Sequence, residues 1–483
     1  NIYYNTLVKS LFKKYKLWIL AGVIASAMIL LNLLNEGSHG GGDTYMHYLF
    51  ARWSFVHPHL LFDHWGKPLF TILSAPFAQF GFKGSVTFNI LAAIGSGILV
   101  AKSAQKMGVK GSWLGLVITV FTPMFFVISF SSLTEILFAL TLILAIYLFI
   151  SQKYNWSAIV ISFIPFARTE GVIFLPLFLM AFLALRNFKS IGFLFTGFVV
   201  MAVAGFPVYG DFLWPITKSP YHDSSALYGH GSLLHFVEHS PGIFGWPLLV
   251  TFFIGIGTML YAVVQRKSLE FTLVSFLVLG CGVGYFSAHT VVWAFGMGGS
   301  AGLTRVMAGI IPVVALTAVY GINFWVAKAK WKGWVSQSIF SVLAIVFVIE
   351  GYTKNKFPLT LGQEERVVEK ACAFIEREGL DHEFMVYYSP FEAFTLNLDH
   401  FSSEHSRDRV FDVKQPSKEL PEGSLIIWDA HFGPNEGGLP KENLFNDPNL
   451  KLMGEFTPEY EFHVQGDRKY VVLVFQKRTL KVE

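Results

Sequence analysis

Apolar runs of membrane-crossing length recur along most of this 483-residue sequence. Many are about 17–22 residues long, and at ~1.5 Å per residue a helix of that length crosses a ~30 Å hydrocarbon core. The runs are continuous and do not alternate, so they specify helices and not a barrel, since in lipid only those two structures satisfy their own backbone. Composition agrees. Soluble domains average roughly 25% charged residues, whereas here 14% are charged, 53% are hydrophobic and 49 residues are Phe.

Short basic clusters separate the runs: Lys9 to Lys16, Lys102 to Lys110, Lys153, Arg186 with Lys189, Arg266 with Lys267, and Lys328 to Lys332. If each cluster is cytoplasmic, the spans between them must come in pairs. They do, as 84–101 with 111–129, 134–151 and 156–167 with 171–185, 190–209 with 244–264, and 269–289 with 304–327. An uncleaved first span, 17–34, and a last span, 333–351, complete about eleven, with the N-terminus cytoplasmic and the C-terminal tail extracytoplasmic. All 15 histidines then fall on the outer side or at outer membrane ends. The net charge of +4 is spread over these boundary clusters and implies no nucleic-acid partner. Cys281 lies in an apolar run and Cys372 in the tail, so no intrachain disulfide is expected.

The expected fold class is therefore an all-α polytopic membrane protein with a small C-terminal α/β domain. Residues 1–351 form the membrane module and 352–483 the outer domain. The first outer loop, 35–83, is too aromatic for a solvated linker, and 43–57 and 68–80 are expected as helices on the membrane surface. A second long outer loop spans 210–243. In the tail, "EERVVEKACAFIEREG" has helical periodicity and ends at a glycine, while "EFMVYYS", "GSLIIWDA" and "KYVVLVFQ" are strand-like. "WDAHFG" at 428–433 is expected as a structural turn.

Charges near a bilayer are costly, so each invites a functional explanation. Asp43 follows the first span, Lys67 sits in "HWGKPLF", Glu135 opens a span in "SSLTEILFAL", Arg168 and Glu170 lie in "FARTEG", and Arg305 lies in "GLTRVMAGIIP". Each also has a plain explanation. Asp43 would suit a helix start. Lys67 would snorkel, Glu135 would favour its helix N-terminus, Arg168 and Glu170 would pair, and Arg305 would anchor at the interface. Together they set a carboxylate base beside three cations, the charges needed to handle an anionic, membrane-embedded substrate. His57, His59 and His64, or His235 and His239, lack nameable third and fourth ligands, so hydrogen-bonded histidines are expected ahead of a metal site. A divalent ion stays open and no cofactor is assigned. The sequence has no Walker-type loop and no convincing dinucleotide fingerprint. An outer face without a nucleotide pool favours a lipid-linked donor.

With these residues in order, the sequence resembles the GT-C superfamily of integral membrane glycosyltransferases over about residues 17–351. "GGDTYMHY" is similar to the superfamily's acidic segment after the first span. "GKPLF" is similar to the Lys-Pro-Pro-Leu-like stretch of the protein mannosyltransferase and aminoarabinose transferase branch. "SSLTEILFAL" and "FARTEG" resemble the Thr-Glu-Pro-Leu and Arg-Pro-Glu-Gly segments of the lipid-linked mannosyltransferases, and "LTRVMAGIIP" the late Arg-Tyr segment of the bacterial branch. Thr44, a single proline at Pro68, and Val306 depart from those patterns. The resemblance implies an inverting transfer of a mannose-like or related hexose from a polyprenyl-phosphate-linked donor, with membrane lipid around it, to a glycan, lipid or protein acceptor. Asp43 would be the general base and Glu135 would orient hydroxyls. Lys67, Arg168 and Arg305 would hold the donor phosphate, with His47, Glu170 and His64 in support. The rival readings are a transporter or flippase of a lipid-linked saccharide, a polysaccharide polymerase or ligase outside this superfamily, and a non-catalytic scaffold.

Overall fold

The computed structural model describes residues 2–220, 229–297 and 300–478. Residues 221–228 of the second long loop lie outside the described residues. The chain divides into two compact units. One comprises Asn1–Asn35 and Pro58–Pro358, the other Glu36–His57 and Leu359–Glu483.

The first unit is helical and defines a multi-pass membrane protein. Among the described residues, seven helices are long and apolar enough to cross a membrane: Tyr15–Leu34, Phe82–Lys106, Phe188–Tyr209, Trp246–Arg266, Leu269–Ala294, Thr304–Lys328 and Gly333–Thr353. The other expected spans are shorter or broken. The run 111–129 divides into Leu114–Phe121 and Pro123–Ile128. Thr122 between them is extended, with ψ 129°, because the Pro123 ring disfavours α geometry in the residue before it. Glu135–Ile150, Tyr154–Ala167 and Thr169–Ala184 are apolar but short. Where long helices meet, small residues let them approach. A Cβ on Gly255 would lie 2.3 Å from the Thr317 carbonyl oxygen, and one on Gly321 2.6 Å from Gly255 Cα. With little hydrophobic drive between helices in lipid, such close packing is what holds them.

The second unit is built on a sheet. Its strands are β1 (Met385–Val386), β2 (Ser406–Arg407), β3 (Leu425–Asp429), β4 (Leu450–Phe456), β5 (His463–Val464), β6 (Arg468–Lys469) and β7 (Val472–Lys477). Five form a mixed sheet in the order β2-β1-β3-β7-β4, and β5 pairs with β6 apart from it. β1 runs parallel to β2 and β3, while β7 is antiparallel to β3 and β4. Every residue of β3 is buried, which explains why it reads as an unbroken apolar run. Residues 36–57 group with this unit because their aromatics pack there. Tyr45 lies 4.7 Å from Phe391 and 4.9 Å from Phe394 between ring centroids. Phe50 lies 4.7 Å from Phe401, and His57 Nε2 is 2.8 Å from Asp399 Oδ2.

Two buried carboxyl groups sit at the heart of the second unit. Glu392 Oε2 accepts the amides of Tyr388 (3.0 Å) and Ser389 (3.1 Å). Asp429 Oδ1 accepts those of His431 (2.9 Å) and Phe432 (2.8 Å), so the 428–433 turn is held by its own aspartate. The remaining oxygens, Glu392 Oε1 and Asp429 Oδ2, are buried with no hydrogen-bond partner among the described residues. Burial, and then the charge of Asp429, pushes the Glu392 carboxyl well above its ordinary range, and burial raises Asp429 as well. Neighbouring buried carboxyls take up a proton before both ionise. Because the folded-state values lie above the unfolded ones, the stabilisation is present at acid pH and is lost as pH rises through the folded values. Hydrogen-exchange protection of β1 and β3 should therefore fall as pH rises through the Asp429 value of about 6, after correction for intrinsic exchange. Glu392→Gln should flatten that dependence; the same slope in the variant would contradict the shared proton.

Candidate active site

Four separate breaks in helical structure bring charged residues together within the membrane unit. Asp63 Oδ1 accepts the amides of Trp65 (2.7 Å) and Gly66 (2.9 Å), tightening the loop that ends at Lys67. Lys67 has φ 62°, an unfavourable conformation for a lysine, immediately before the helix Pro68–Ala78. Such backbone strain persists where surrounding structure imposes it and concentrates at functional sites. Glu135 opens the helix Glu135–Ile150. The segment leading to it is anchored by Asn89, whose side-chain amide donates to the carbonyls of Ser131 (2.7 Å) and Leu133 (2.8 Å). Arg168 is extended, φ −157°, between the short helix Ile164–Ala167 and the 3-10 turn Thr169–Phe174. Arg305 lies in the first turn of the 3-10 segment Thr304–Ile310.

Glu135 is the centre of the arrangement. Its side chain is wholly buried, and its Oε1 lies 2.7 Å from Arg168 Nη1 and 3.4 Å from Arg305 Nε. Arg168 is held from two further directions: Nε donates to Glu170 Oε1 at 2.6 Å, and Nη1 donates to Thr134 Oγ1 at 3.0 Å. Lys67 Nζ donates to Thr169 Oγ1 at 3.3 Å. Burial pushes the Lys67 ammonium down to about 8, against the pull of Glu170. Five residues singled out in the sequence (Lys67, Glu135, Arg168, Glu170 and Arg305) thus meet as one buried set. Among these five, three cations stand against two carboxylates, and Asp63 is a further carboxylate whose charge acts on Lys67. The resemblance would have Glu135 orient hydroxyls, yet both guanidiniums already engage its carboxylate.

Two members of the set escaped sequence reasoning. Tyr285 donates from Oη to Glu170 Oε1 at 3.3 Å, and His289 stands on it with ring centroids 4.4 Å apart. Tyr285 is fixed from the other side by Phe174 and Phe138, at 5.5 and 5.7 Å. The available signal was a Tyr and a His four residues apart, on one face of the apolar helix Leu269–Ala294.

His64, His235 and His239 have ordinary partners. His64 Nε2 donates to the Trp214 carbonyl (3.0 Å), and His235 Nε2 to that of Gly302 (2.7 Å). His239 Nδ1 donates to the His235 carbonyl at 2.7 Å. Among the described residues, no group of three or more His, Cys, Asp or Glu side chains could hold a metal ion.

Asp43 and His47 belong to the second unit. Asp43 is in the first turn of the helix Gly42–Trp53, which starts after Gly41 at φ 56°. His47 follows one turn later and is buried. A Cβ on Gly42 would come within 3.1 Å of the Phe432 ring, so this helix start packs on the 432–436 turn. Burial, then the charge of Asp43, raises the Glu436 carboxyl, with His431 and Arg409 opposing.

No protein-family model matches the chain, and no curated protein matches its sequence. Solved structures do match its fold. ArnT from Cupriavidus metallidurans bound to undecaprenyl phosphate superposes with a TM-score of 0.61 at 9% identity, over 95% of this chain and 98% of that one. The apo state of the same protein gives 0.60 at 11%, over 95% and 97%. The Archaeoglobus fulgidus oligosaccharyltransferase in complex with Zn and sulfate gives 0.53 at 11%, over 85% and 67%. At such identities the likeness is one of fold. The chain shares the fold of these membrane proteins over nearly its whole length.

Removing one partner of a buried ion pair strands the other and typically costs about 3–5 kcal/mol. Glu135→Gln should therefore lower the thermal midpoint of the detergent-solubilised protein, and the double variant Glu135→Gln/Arg305→Gln should recover part of the loss. A midpoint unchanged by Glu135→Gln would contradict its central place.

Proposed function

We propose that this chain is a GT-C-type glycosyltransferase that moves a sugar from a polyprenyl-phosphate-linked donor to an acceptor on the outer face of the membrane. The observation that carries this reading is the buried set of three cations and two carboxylates, on a fold shared with a protein solved with undecaprenyl phosphate bound. A mannose-like hexose is the sugar suggested by the sequence resemblance, and the acceptor is a glycan, lipid or protein. The basic clusters support a cytoplasmic N-terminus and an extracytoplasmic C-terminal segment.

The chemistry is a single displacement with inversion. Asp43, by its place after the first span, takes the proton of the acceptor hydroxyl as that oxygen attacks the anomeric carbon. The bond from that carbon to the phosphate oxygen breaks, and its electron pair leaves with the polyprenyl phosphate. A phosphate is a competent leaving group without protonation, so what it needs is positive charge, which Lys67, Arg168 and Arg305 supply. Glu135 and Glu170 act as counter-charges that fix the guanidiniums in the absence of substrate. His47 supports Asp43 from the next turn of its helix, and His64 steadies the loop before Lys67.

Asp43→Asn should cut transfer from a polyprenyl-phosphate-linked sugar by at least ~100-fold while the protein still reaches the membrane. Near-normal turnover in that variant would remove Asp43 from the role of base. Arg305→Ala should raise the donor KM, and an unchanged donor dependence would argue against its place at the phosphate.

A further inference from the structure

The charged set in the membrane unit has a neighbour with an unused hydrogen-bonding atom. His289 stands one helical turn beyond Tyr285 on the helix Leu269–Ala294. Its ring lies 4.4 Å from that of Tyr285 and 6.2 Å from that of Phe236, near edge-on to the latter. Its Nε2 is buried and has no hydrogen-bond partner among the described residues. The Tyr285 hydroxyl beside it donates to Glu170, and no hydrogen bond joins the two side chains. The charges that act on the imidazole are those of Glu170 and Arg168, so it borders the same set. Leaving a buried polar nitrogen unpartnered costs about 1–3 kcal/mol. Aromatic packing alone does not call for an imidazole, since a phenylalanine would fill the position without that cost.

We infer that His289 Nε2 is a hydrogen-bond donor to a phosphate monoester held by Lys67, Arg168 and Arg305. This rests on the donor-phosphate reading above and extends it to a residue on a fourth element. A phosphate presents three strong acceptor oxygens, each able to accept more than one hydrogen bond, so a further N–H has a place beside the ammonium and the guanidiniums. A neutral N–H fills an acceptor position without adding a fourth positive charge to a buried site. Lipid-borne and inorganic phosphate share this chemistry, so both serve as probes.

Binding of a short-chain polyprenyl phosphate in detergent micelles, and separately of inorganic phosphate, would be measured for the wild type, His289→Leu, His289→Gln and Lys67→Met. His289→Leu should weaken polyprenyl phosphate binding by about tenfold, the equivalent of one hydrogen bond to a charged group. His289→Gln, which keeps an N–H donor, should stay within about threefold of wild type. A loss seen only with the polyprenyl phosphate assigns the contact to a lipid-borne phosphate, and a parallel loss with inorganic phosphate assigns it to the phosphate itself. Unchanged binding in His289→Leu with binding lost in Lys67→Met overturns the inference and leaves the wider reading intact. Unchanged binding in Lys67→Met overturns the wider reading. Should the leucine variant fail to fold, the 15N resonance of His289 in the full wild-type chain, identified by its absence from His289→Gln, decides the matter. Its shift on adding polyprenyl phosphate supports the contact, and no shift overturns it.

Discussion

The Glu135 carboxylate, wholly buried between Arg168 and Arg305, is the interaction on which the rest of the membrane unit depends. Two guanidiniums in an apolar interior would repel each other and forfeit hydration, and the cost of stranding either is several kcal/mol. One carboxylate answers both. It also ties three breaks in helical structure together: the start of Glu135–Ile150, the extended Arg168, and the 3-10 turn carrying Arg305. Regular helices would have turned their polar backbone groups inward and left no room for these side chains to converge. The breaks are thus part of the site, and the short span helices around it follow from them.

The charge account gives the site its direction. Lys67 adds a third cation through a strained loop, and Glu170 answers Arg168 directly. The five residues hold one another and carry one more positive than negative charge among themselves, which suits an anion that arrives, reacts and leaves. Tyr285, wedged by Phe138 and Phe174, holds Glu170 in turn. The abundance of phenylalanine in the composition therefore has a local use: rigid rings that fix polar side chains where water is scarce.

Much of this was legible in the sequence because membrane burial writes a strong local signal. The apolar runs, the boundary lysines and arginines, and the few charges beside them were enough to single out Lys67, Glu135, Arg168, Glu170 and Arg305. What was not legible depends on long-range packing or on one residue's backbone preference. Pro123 breaks a run that hydropathy alone reads as continuous. Tyr285 and His289 look like ordinary polar residues in a span until Glu170 is seen to meet the tyrosine. Strand β4 alternates weakly and was missed. Residues 36–57 read as part of the membrane module, yet Tyr45 and Phe50 find their partners among phenylalanines more than 300 positions later in sequence. That one carboxylate, Glu135, serves two guanidiniums is likewise not carried by the sequence.

The account stands or falls on where a lipid phosphate binds. The most direct measurement is an experimental structure of the full chain with a polyprenyl phosphate. The account predicts the phosphate within hydrogen-bond distance of Lys67 Nζ and of at least one guanidinium of Arg168 or Arg305. A phosphate bound elsewhere, with the Glu135 ion pairs intact and Lys67 still on Thr169, would contradict it.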